Sequence, residues 1–186
     1  IQKLTRNKNI DLVFFGIDPI PPLPKEKMVY SNRALEELYN IDRIIDAFFF
    51  FFQTHPDWKL VVSSTGKKQD ALQTQVKQLG IQTNVEFVGW LSGAANNNFY
   101  QRAAVYISIP SSDGTSISLL EAMSAGCIPV VSDLPVSYEW IESGVNGVIH
   151  KQGKNPIVQA VQLDSSKVQQ LNATIIEERA TSKAAT

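Results

Sequence analysis

Short apolar runs that alternate with stretches of helical spacing constrain the fold of this chain more than any other feature. The strand candidates are residues 28–31, 59–63, 85–88, 105–109, 128–131 and 147–149. The helix candidates are residues 40–54, 69–79, 94–103, 117–125 and 137–143, and residues 155–183 are typical of one or two polar helices. Because parallel strands need a helical crossover between them, this alternation predicts a Rossmann-like α/β fold with helices on both faces of a parallel sheet.

Proline placement suggests where the domain begins. Residues 19–24 read Pro-Ile-Pro-Pro-Leu-Pro, a run that excludes a helix or a central strand, because proline lacks an amide hydrogen and restricts the residue before it. We therefore interpret residues 1–24 as a linker or edge segment. Residues 25–164 are predicted to form the Rossmann-like domain, and residues 165–186 a helical tail.

Composition excludes several classes of function. The 17 basic and 18 acidic residues nearly cancel, so nucleic acid is not expected as a partner. One cysteine, Cys127, and two distant histidines give neither a disulfide nor a zinc-ligand spacing, and we predict a cytoplasmic, metal-free protein. The longest apolar run, Ala47 to Phe52, is far shorter than the ~20 residues of a membrane-spanning helix.

A run of five phenylalanines, residues 48–52, lies within a predicted helix. At about 100° per residue these side chains point all round the helix axis, so some must face away from the sheet. We favour a deeply buried or covered helix. The alternative is a contact with a partner or a membrane surface, which would make the intact protein peripheral at the membrane.

The turns that follow the predicted strands are the places to look for a binding site, because ligands of open α/β sheets bind outside the carboxyl ends of the strands. Three of these turns are rich in polar residues: residues 31–33, residues 63–66 and residues 110–116. The third turn leads into a helix that begins near Ser116, and Thr115 or Ser116 is predicted to cap it. Free amides in the first turn of that helix, next to Gly114, form a cradle for a phosphate.

Two carboxylates flank the same turn. Asp113 precedes the predicted helix and Glu121 lies one turn into it, so both can border one pocket at the strand end. Ionised carboxylates accept hydrogen bonds and suit the paired hydroxyls of a sugar, whereas they repel phosphate. This pattern favours amides on a phosphate and carboxylates on a sugar. The simpler alternative is a polar turn with a good helix cap.

Residues 105–131 as a whole resemble the group 1, or family 4, retaining glycosyltransferases of two-domain GT-B architecture. The resemblance rests on Pro110-Ser111, on Asp113-Gly114, on the run from Leu120-Glu121-Ala122-Met123 to Gly126, and on Pro129-Val130-Val131. It extends to Glu139-Trp140-Ile141, to Gly144-Val145-Asn146-Gly147 and back through residues 84–90 and 56–60. The chain is similar to the carboxyl-terminal, nucleotide-sugar-binding half of such enzymes.

The resemblance implies a role for each matching residue. Glu121 would hold the ribose hydroxyls, Asp113 the transferred sugar, and Arg33 the diphosphate. The remaining positions implied in donor binding are Gly114, Thr115, Ser116 and Ser118 on the carboxylate turn, Trp90 and Leu91 beside the base, Gly66 after the second strand, and Tyr39. At Tyr39 the family often has a lysine followed by glycine, whereas here Asn40 follows. Asp113 also departs from the usual glutamate and is one methylene shorter.

The resemblance implies a donor domain for retaining glycosyl transfer from a nucleoside-diphosphate sugar, which in this family is commonly a UDP sugar. The reaction is expected to need no metal, no cofactor and no covalent protein nucleophile. The acceptor, a polysaccharide, glycoconjugate or lipid-linked glycan, would lie on the amino-terminal domain, so the isolated domain is expected to be inactive. The alternatives are a sugar-nucleotide epimerase on the same fold and a non-catalytic nucleotide- or sugar-binding module. A dinucleotide-dependent dehydrogenase is disfavoured because no Gly-x-Gly-x-x-Gly follows a strand.

Overall fold

The structure, a computed structural model, describes residues 16–180. Its strands are β1 (Glu26–Ser31), β2 (Lys59–Ser63), β3 (Val85–Gly89), β4 (Ala103–Ser108), β5 (Ile128–Ser132) and β6 (Val148–His150). Its α-helices are α1 (Ile41–Phe52), α2 (Gln69–Gln78), α3 (Gly93–Arg102), α4 (Ile117–Ser124), α5 (Pro156–Val161) and α6 (Ser165–Arg179). Short 3-10 helices occupy Glu37–Tyr39 and Pro135–Glu139.

All six strands are parallel and lie in the order β3-β2-β1-β4-β5-β6. This confirms the predicted Rossmann-like α/β fold. The strand order reverses between β1 and β4, and in open parallel sheets such a reversal opens a crevice at the carboxyl ends of the two central strands. The turns that follow β1 and β4 therefore flank that crevice.

Helices cover both faces of the sheet, as the alternating pattern predicts. On one face α1, α2 and α5 bury the largest cluster of apolar side chains against Val29, Val62 and Val105. On the other face α3 and α4 pack against Tyr30 and Tyr106. Strands β1, β2, β4 and β5 thus bury both of their sides, which explains their continuous apolar runs.

One predicted helix is wrong. Residues 137–143 do not form an α-helix, because the segment adopts a 3-10 helix at Pro135–Glu139 and then leads into a bridge between Ser143 and Gly147. The segment begins at Pro135 and ends in the turn at Gly144, where φ is +86°, so it is short. Nucleation of an α-helix is unfavourable, so short segments commonly adopt 3-10 geometry.

The phenylalanine run lies in α1 and is mostly covered. Phe48 and Phe51 are fully buried, Phe49 and Phe52 pack partly against the same core, and Phe50 is 67% exposed. Trp58, Trp140 and Cys127 are buried and pack in the hydrophobic core. Within residues 16–180 no helix is long and apolar enough to cross a membrane.

The segment that precedes β1 crosses the domain in extended conformation. Ile17 and Ile20 are buried, and the Ile17 amide donates to the Ala180 carbonyl at the end of α6. The Lys25 ammonium donates to the carbonyls of Tyr100, Gln101 and Ala125 at 3.1, 2.9 and 2.6 Å. These carbonyls end α3 and α4, where the helix dipoles favour a cation. Residues 1–15 and 181–186, which complete the predicted linker and tail, lie outside the described residues.

Candidate functional site

Arg33 lies in the crevice between β1 and β4, where its guanidinium bridges the two turns. Its Nη2 forms a salt bridge with Asp113 Oδ2 at 2.8 Å, and its Nη1 donates to the Ser116 hydroxyl at 2.9 Å. The side chains of Arg33 and Asp113 are only 13% and 24% exposed. Two residues 80 positions apart in the sequence, each implicated by its own turn, are therefore brought into direct contact.

The third contact of Arg33 is with an aromatic ring. Its guanidinium carbon lies 4.5 Å above the centre of the Tyr39 ring. Tyr39 ends the 3-10 helix Glu37–Tyr39, and its ring also packs against the core beneath α1. The guanidinium is therefore held by the Tyr39 ring and by hydrogen bonds to Asp113 and Ser116.

The first turn of α4 has its amides directed at the same crevice. Ser116 occupies the cap position that the sequence predicts, but the predicted capping hydrogen bond is absent, since neither Ser116 nor another side chain accepts from the first-turn amides. The Ser116 hydroxyl accepts from Arg33 instead. The amides of Ile117 and Ser118 are therefore free of side-chain caps, which strengthens the case for an anion-binding helix end.

Asn32 connects the Arg33 side of the site to the Glu121 side. Its amide nitrogen donates to the Tyr100 hydroxyl at 2.8 Å and to the Ser118 hydroxyl at 3.3 Å, and its amide oxygen accepts from the Tyr106 hydroxyl at 3.0 Å. The Tyr100 hydroxyl also interacts with the Glu121 carboxyl. Asn32 thus joins the turn after β1 to β4, α3 and α4 through polar side chains.

Glu121 is half-buried, and burial raises the pKa of its carboxyl, while the Tyr100 hydroxyl partly offsets that increase. Burial also raises the pKa of Tyr106 to about 12 and holds the pKa of Tyr30 and Tyr100 above the usual range. These phenols therefore remain protonated donors near neutral pH. The arrangement keeps Glu121 as the acceptor within a group of hydroxyl donors.

Asn40 fixes the distance between the turn after β1 and the turn after β4. It adopts a left-handed conformation, with φ 51°, between the 3-10 helix and α1. Its amide donates to the Ile109 carbonyl and to the Ser111 hydroxyl, each at 2.9 Å. The Ser111 amide donates to the Leu38 carbonyl at 2.8 Å, so three hydrogen bonds join the turn after β1 to the turn after β4.

The other predicted donor-site residues occupy different parts of this edge. Gly114 is exposed, and Thr115 is partly exposed beside it. Trp90 is 75% exposed at the end of β3, with Leu91 next to it. Gly66 lies against the backbone of Leu35, where an added Cβ would be 2.4 Å from the Leu35 carbonyl oxygen. That close approach explains a glycine at position 66 without a ligand.

Sequence reasoning did not identify Asn32, Tyr100 and Tyr106 as members of the site, and treated Asn40 only as a departure from glycine. The tyrosines fit equally well as core residues of β4 and α3, and their hydroxyls become informative only once the strands are aligned. Asn32 directly follows a buried strand beside Arg33, a signal that could have indicated it. Among residues 16–180 no group of three or more metal-ligating side chains lies together.

This edge of the sheet brings together a cation, helix amides without side-chain caps and two carboxylates. A cation and amides suit phosphate oxygens, and carboxylates suit hydroxyl groups. Asp113 additionally lines a small cavity with Gly114, Ser116, Leu119 and Trp140. The geometry therefore fits a ligand that carries both phosphate and hydroxylated rings.

Comparison with known proteins is consistent with this chemistry. The family model described as "Glycosyl transferases group 1" matches residues 17–180. An uncharacterized glycosyltransferase of Methanocaldococcus jannaschii is 34% identical over 124 residues, which cover 66% of this chain and 31% of that protein. The GDP-mannose:cellobiosyl-diphosphopolyprenol alpha-mannosyltransferase of Xanthomonas oryzae is 28% identical over 53% of this chain and 27% of its own length.

Among solved structures, a point mutant of the Staphylococcus aureus protein TarM, crystallised with Fondaparinux, alpha-GlcNAc-glycerol and UDP, superposes with a TM-score of 0.83 at 19% identity. The superposition covers 98% of this chain and 39% of TarM, and it shows the shared fold. In all three comparisons the chain therefore spans less than half of the similar protein.

Proposed function

Because this chain belongs to the group 1 glycosyl transferases, we propose that it is the carboxyl-terminal, donor-binding domain of a GT-B enzyme that transfers a sugar from a nucleoside diphosphate. The observation that carries the proposal is the position of Arg33 at the reversal of strand order, between the turn that holds Asp113 and the uncapped start of α4. An anion-binding cation and an anion-binding helix end face one crevice there.

The diphosphate of the donor is proposed to take the place of Asp113 at the edge of the Arg33 guanidinium. Charge-assisted hydrogen bonds of this kind are each worth about 1.5–3 kcal/mol. The amides of Ile117 and Ser118 would bind the same group, and the dipole of α4 favours its charge. Both interactions stabilise the negative charge that grows on the leaving diphosphate as the glycosidic bond breaks.

The two carboxylates are proposed to hold hydroxyl groups on either side of the diphosphate. Glu121 would accept from the ribose hydroxyls, and the half-buried site strengthens such bonds. Asp113, released from Arg33, would accept from hydroxyls of the transferred sugar. The exchange of partners keeps Arg33 paired with an anion before and after donor binding.

We propose that transfer proceeds with retention, without a metal ion, a cofactor or a covalent protein nucleophile. The donor phosphate would assist the incoming hydroxyl, and Arg33 with the α4 amides would bear the leaving-group charge. A UDP sugar is the proposed donor, supported by the UDP complex of TarM. GDP-mannose, which is named for the Xanthomonas relative, is the first alternative donor. The acceptor, a glycan or a lipid-linked glycan, would bind a separate amino-terminal domain.

Two other functions compete with transfer. A sugar-nucleotide epimerase on this fold would bring histidine to the crevice, whereas His55 and His150 lie in neither the turn after β1 nor the turn after β4. A non-catalytic binding module would share the donor contacts, so binding data alone would not separate it from an enzyme. Donor hydrolysis or transfer by a chain that includes the acceptor domain separates the two.

Calorimetry of the 186-residue chain against a UDP sugar, a GDP sugar and an ADP sugar tests donor binding. We expect one of the three to bind, and Arg33→Ala and Glu121→Ala each to weaken it at least tenfold, as expected for about 1.4 kcal/mol or more. Arg43→Ala and Glu142→Ala replace exposed residues of the same types and serve as controls. Binding that Glu121→Ala leaves unchanged would show that the ribose lies elsewhere.

A further inference from the structure

The Arg33 guanidinium lies over the face of the Tyr39 ring, with 4.5 Å between the guanidinium carbon and the ring centre. Contacts of this kind are attractive because the negative face of the aromatic ring meets the cation. The Tyr39 ring is itself supported by the core cluster that includes Leu35 and Ile41. Its position is therefore set by packing.

The other contacts of Arg33 are hydrogen bonds from its terminal N–H groups. Nη2 donates to Asp113 and Nη1 donates to Ser116. Tyr39 contributes its ring and no hydrogen-bond acceptor among these contacts, so it does not compete with Asp113 for Nη2. An anion can therefore replace Asp113 while the contact with the Tyr39 ring stays in place.

We infer that Tyr39 is a positioning residue of the donor site, which aims the Arg33 guanidinium through the face of its ring and takes no part through its hydroxyl. This inference rests on the proposed donor-binding function. A single cation, held in orientation by an aromatic ring, would then serve the diphosphate. The ring reduces the entropy that Arg33 must lose on binding, since a long side chain otherwise loses rotamer freedom when it is ordered.

Substitutions that separate the ring from the hydroxyl test this role. Tyr39→Phe keeps the ring and removes the hydroxyl, whereas Tyr39→Leu removes the ring and keeps an apolar side chain on the core. We expect Tyr39→Phe to bind UDP within about twofold of the unaltered chain, and Tyr39→Leu to bind about five- to tenfold more weakly. Binding of uridine, which has no phosphate, should be the same in all three proteins, as followed by NMR titration.

A measurement without nucleotide tests the stacking itself. The NMR resonance of the Arg33 Nε–Hε group can be assigned because it is lost in Arg33→Lys. An aromatic ring close to this group changes its chemical shift through the ring current. We expect the shift to persist in Tyr39→Phe and to disappear in Tyr39→Leu.

The outcomes separate this inference from the proposed function. Equal loss of UDP affinity in Tyr39→Phe and Tyr39→Leu would overturn it in favour of a direct contact by the hydroxyl. An Arg33 resonance unchanged in Tyr39→Leu would overturn the positioning role. A chain that shows the expected resonance shifts but binds no nucleotide or nucleotide sugar would instead contradict the donor-binding function, and with it the consequence drawn for UDP.

Discussion

Arg33 is the residue at which the two halves of the site meet. Its guanidinium contacts Asp113 and Ser116 from the turn after β4 and Tyr39 from the turn after β1. A positive charge that is largely buried needs compensation, and here a carboxylate supplies it. The proposed diphosphate can compete for that position because it offers the same kind of oxygen acceptor.

Two glycines on this edge predict opposite results when a methyl group is added. An added Cβ at Gly114 meets no neighbouring atom, so Gly114→Ala should leave the free energy of unfolding within about 0.5 kcal/mol. It should nevertheless weaken UDP-sugar binding, because the donor is expected to approach this backbone. At Gly66 the Cβ would collide with Leu35, so Gly66→Ala should lower the free energy of unfolding by about 1–3 kcal/mol.

Urea unfolding and calorimetry of the two glycine variants provide the check. An unaltered donor affinity in Gly114→Ala would contradict the close approach proposed for that turn. Full stability in Gly66→Ala would contradict the packing role of Gly66.

Glu121 makes the stability of the fold dependent on pH. Its pKa is raised by burial, so the folded chain holds a proton that the unfolded chain releases in the window from the ordinary value of 4.5 up to the raised value. The free energy of unfolding should therefore fall as pH rises through that window. Glu121→Gln should remove this fall, whereas Glu178→Gln, on the exposed side of α6, should retain it. Parallel pH dependence of urea unfolding in the unaltered chain and Glu121→Gln would contradict the assignment.

At the scale of single residues the sequence predicts most of the site. The turn chemistry of 110–116 indicates Asp113, Glu121 and the helix start, and resemblance adds Arg33. The contact of Arg33 with Asp113 was not predicted, because 80 positions separate the two residues and only the pairing of β1 with β4 brings them together. The absence of a capping hydrogen bond at Ser116 was not predicted for the same reason, because the Ser116 hydroxyl accepts from Arg33, which is distant in the sequence.

At the scale of elements, Asn40 joins the turn after β1 to the turn after β4 by hydrogen bonds. Asn40→Gly preserves the left-handed backbone that glycine also favours, but removes the donors to Ile109 and Ser111. The buried Ile109 carbonyl then loses this partner, and we expect the free energy of unfolding to fall by about 1–3 kcal/mol.

Asn40→Asp is the matched variant, because aspartate tolerates the same backbone but has no N–H donor. Both substitutions should destabilise the chain in urea unfolding. Stability retained by Asn40→Asp would show that the side-chain donor does not join the two turns.

The sequence predicts the regular elements well where an apolar run is continuous, as in β2, or where helical periodicity is sustained, as in α1 and α2. It fails over residues 137–143, where an amphipathic pattern is bounded by Pro135 and Gly144 and yields a 3-10 helix. Periodicity indicates which side chains face the core, but it does not measure the room available for a full helix.

At the scale of the whole molecule, the extended segment before β1 is attached to the far ends of α3 and α4 by Lys25. Lys25→Met should lower the free energy of unfolding by about 1–3 kcal/mol, because three helix-end carbonyls lose a charged donor. Lys27→Met removes a lysine whose salt bridge with Asp57 is exposed, and it should cost no more than about 1 kcal/mol. Equal costs in urea unfolding would contradict the role given to Lys25.

The parallel sheet and its two helical layers follow from the alternation of apolar strands and helices in the sequence. The strand order does not, because alternation is compatible with several orders. The reversal of strand order between β1 and β4 brings Arg33 into contact with Asp113, and only the three-dimensional structure reveals this reversal.

A crystal structure of the chain with UDP tests the central claim most directly. We predict the diphosphate at the edge of the Arg33 guanidinium and at the first amides of α4, with the ribose hydroxyls on the Glu121 carboxylate. UDP bound at another edge of the sheet, or at this edge with Glu121 in contact with neither ribose hydroxyl, would contradict it.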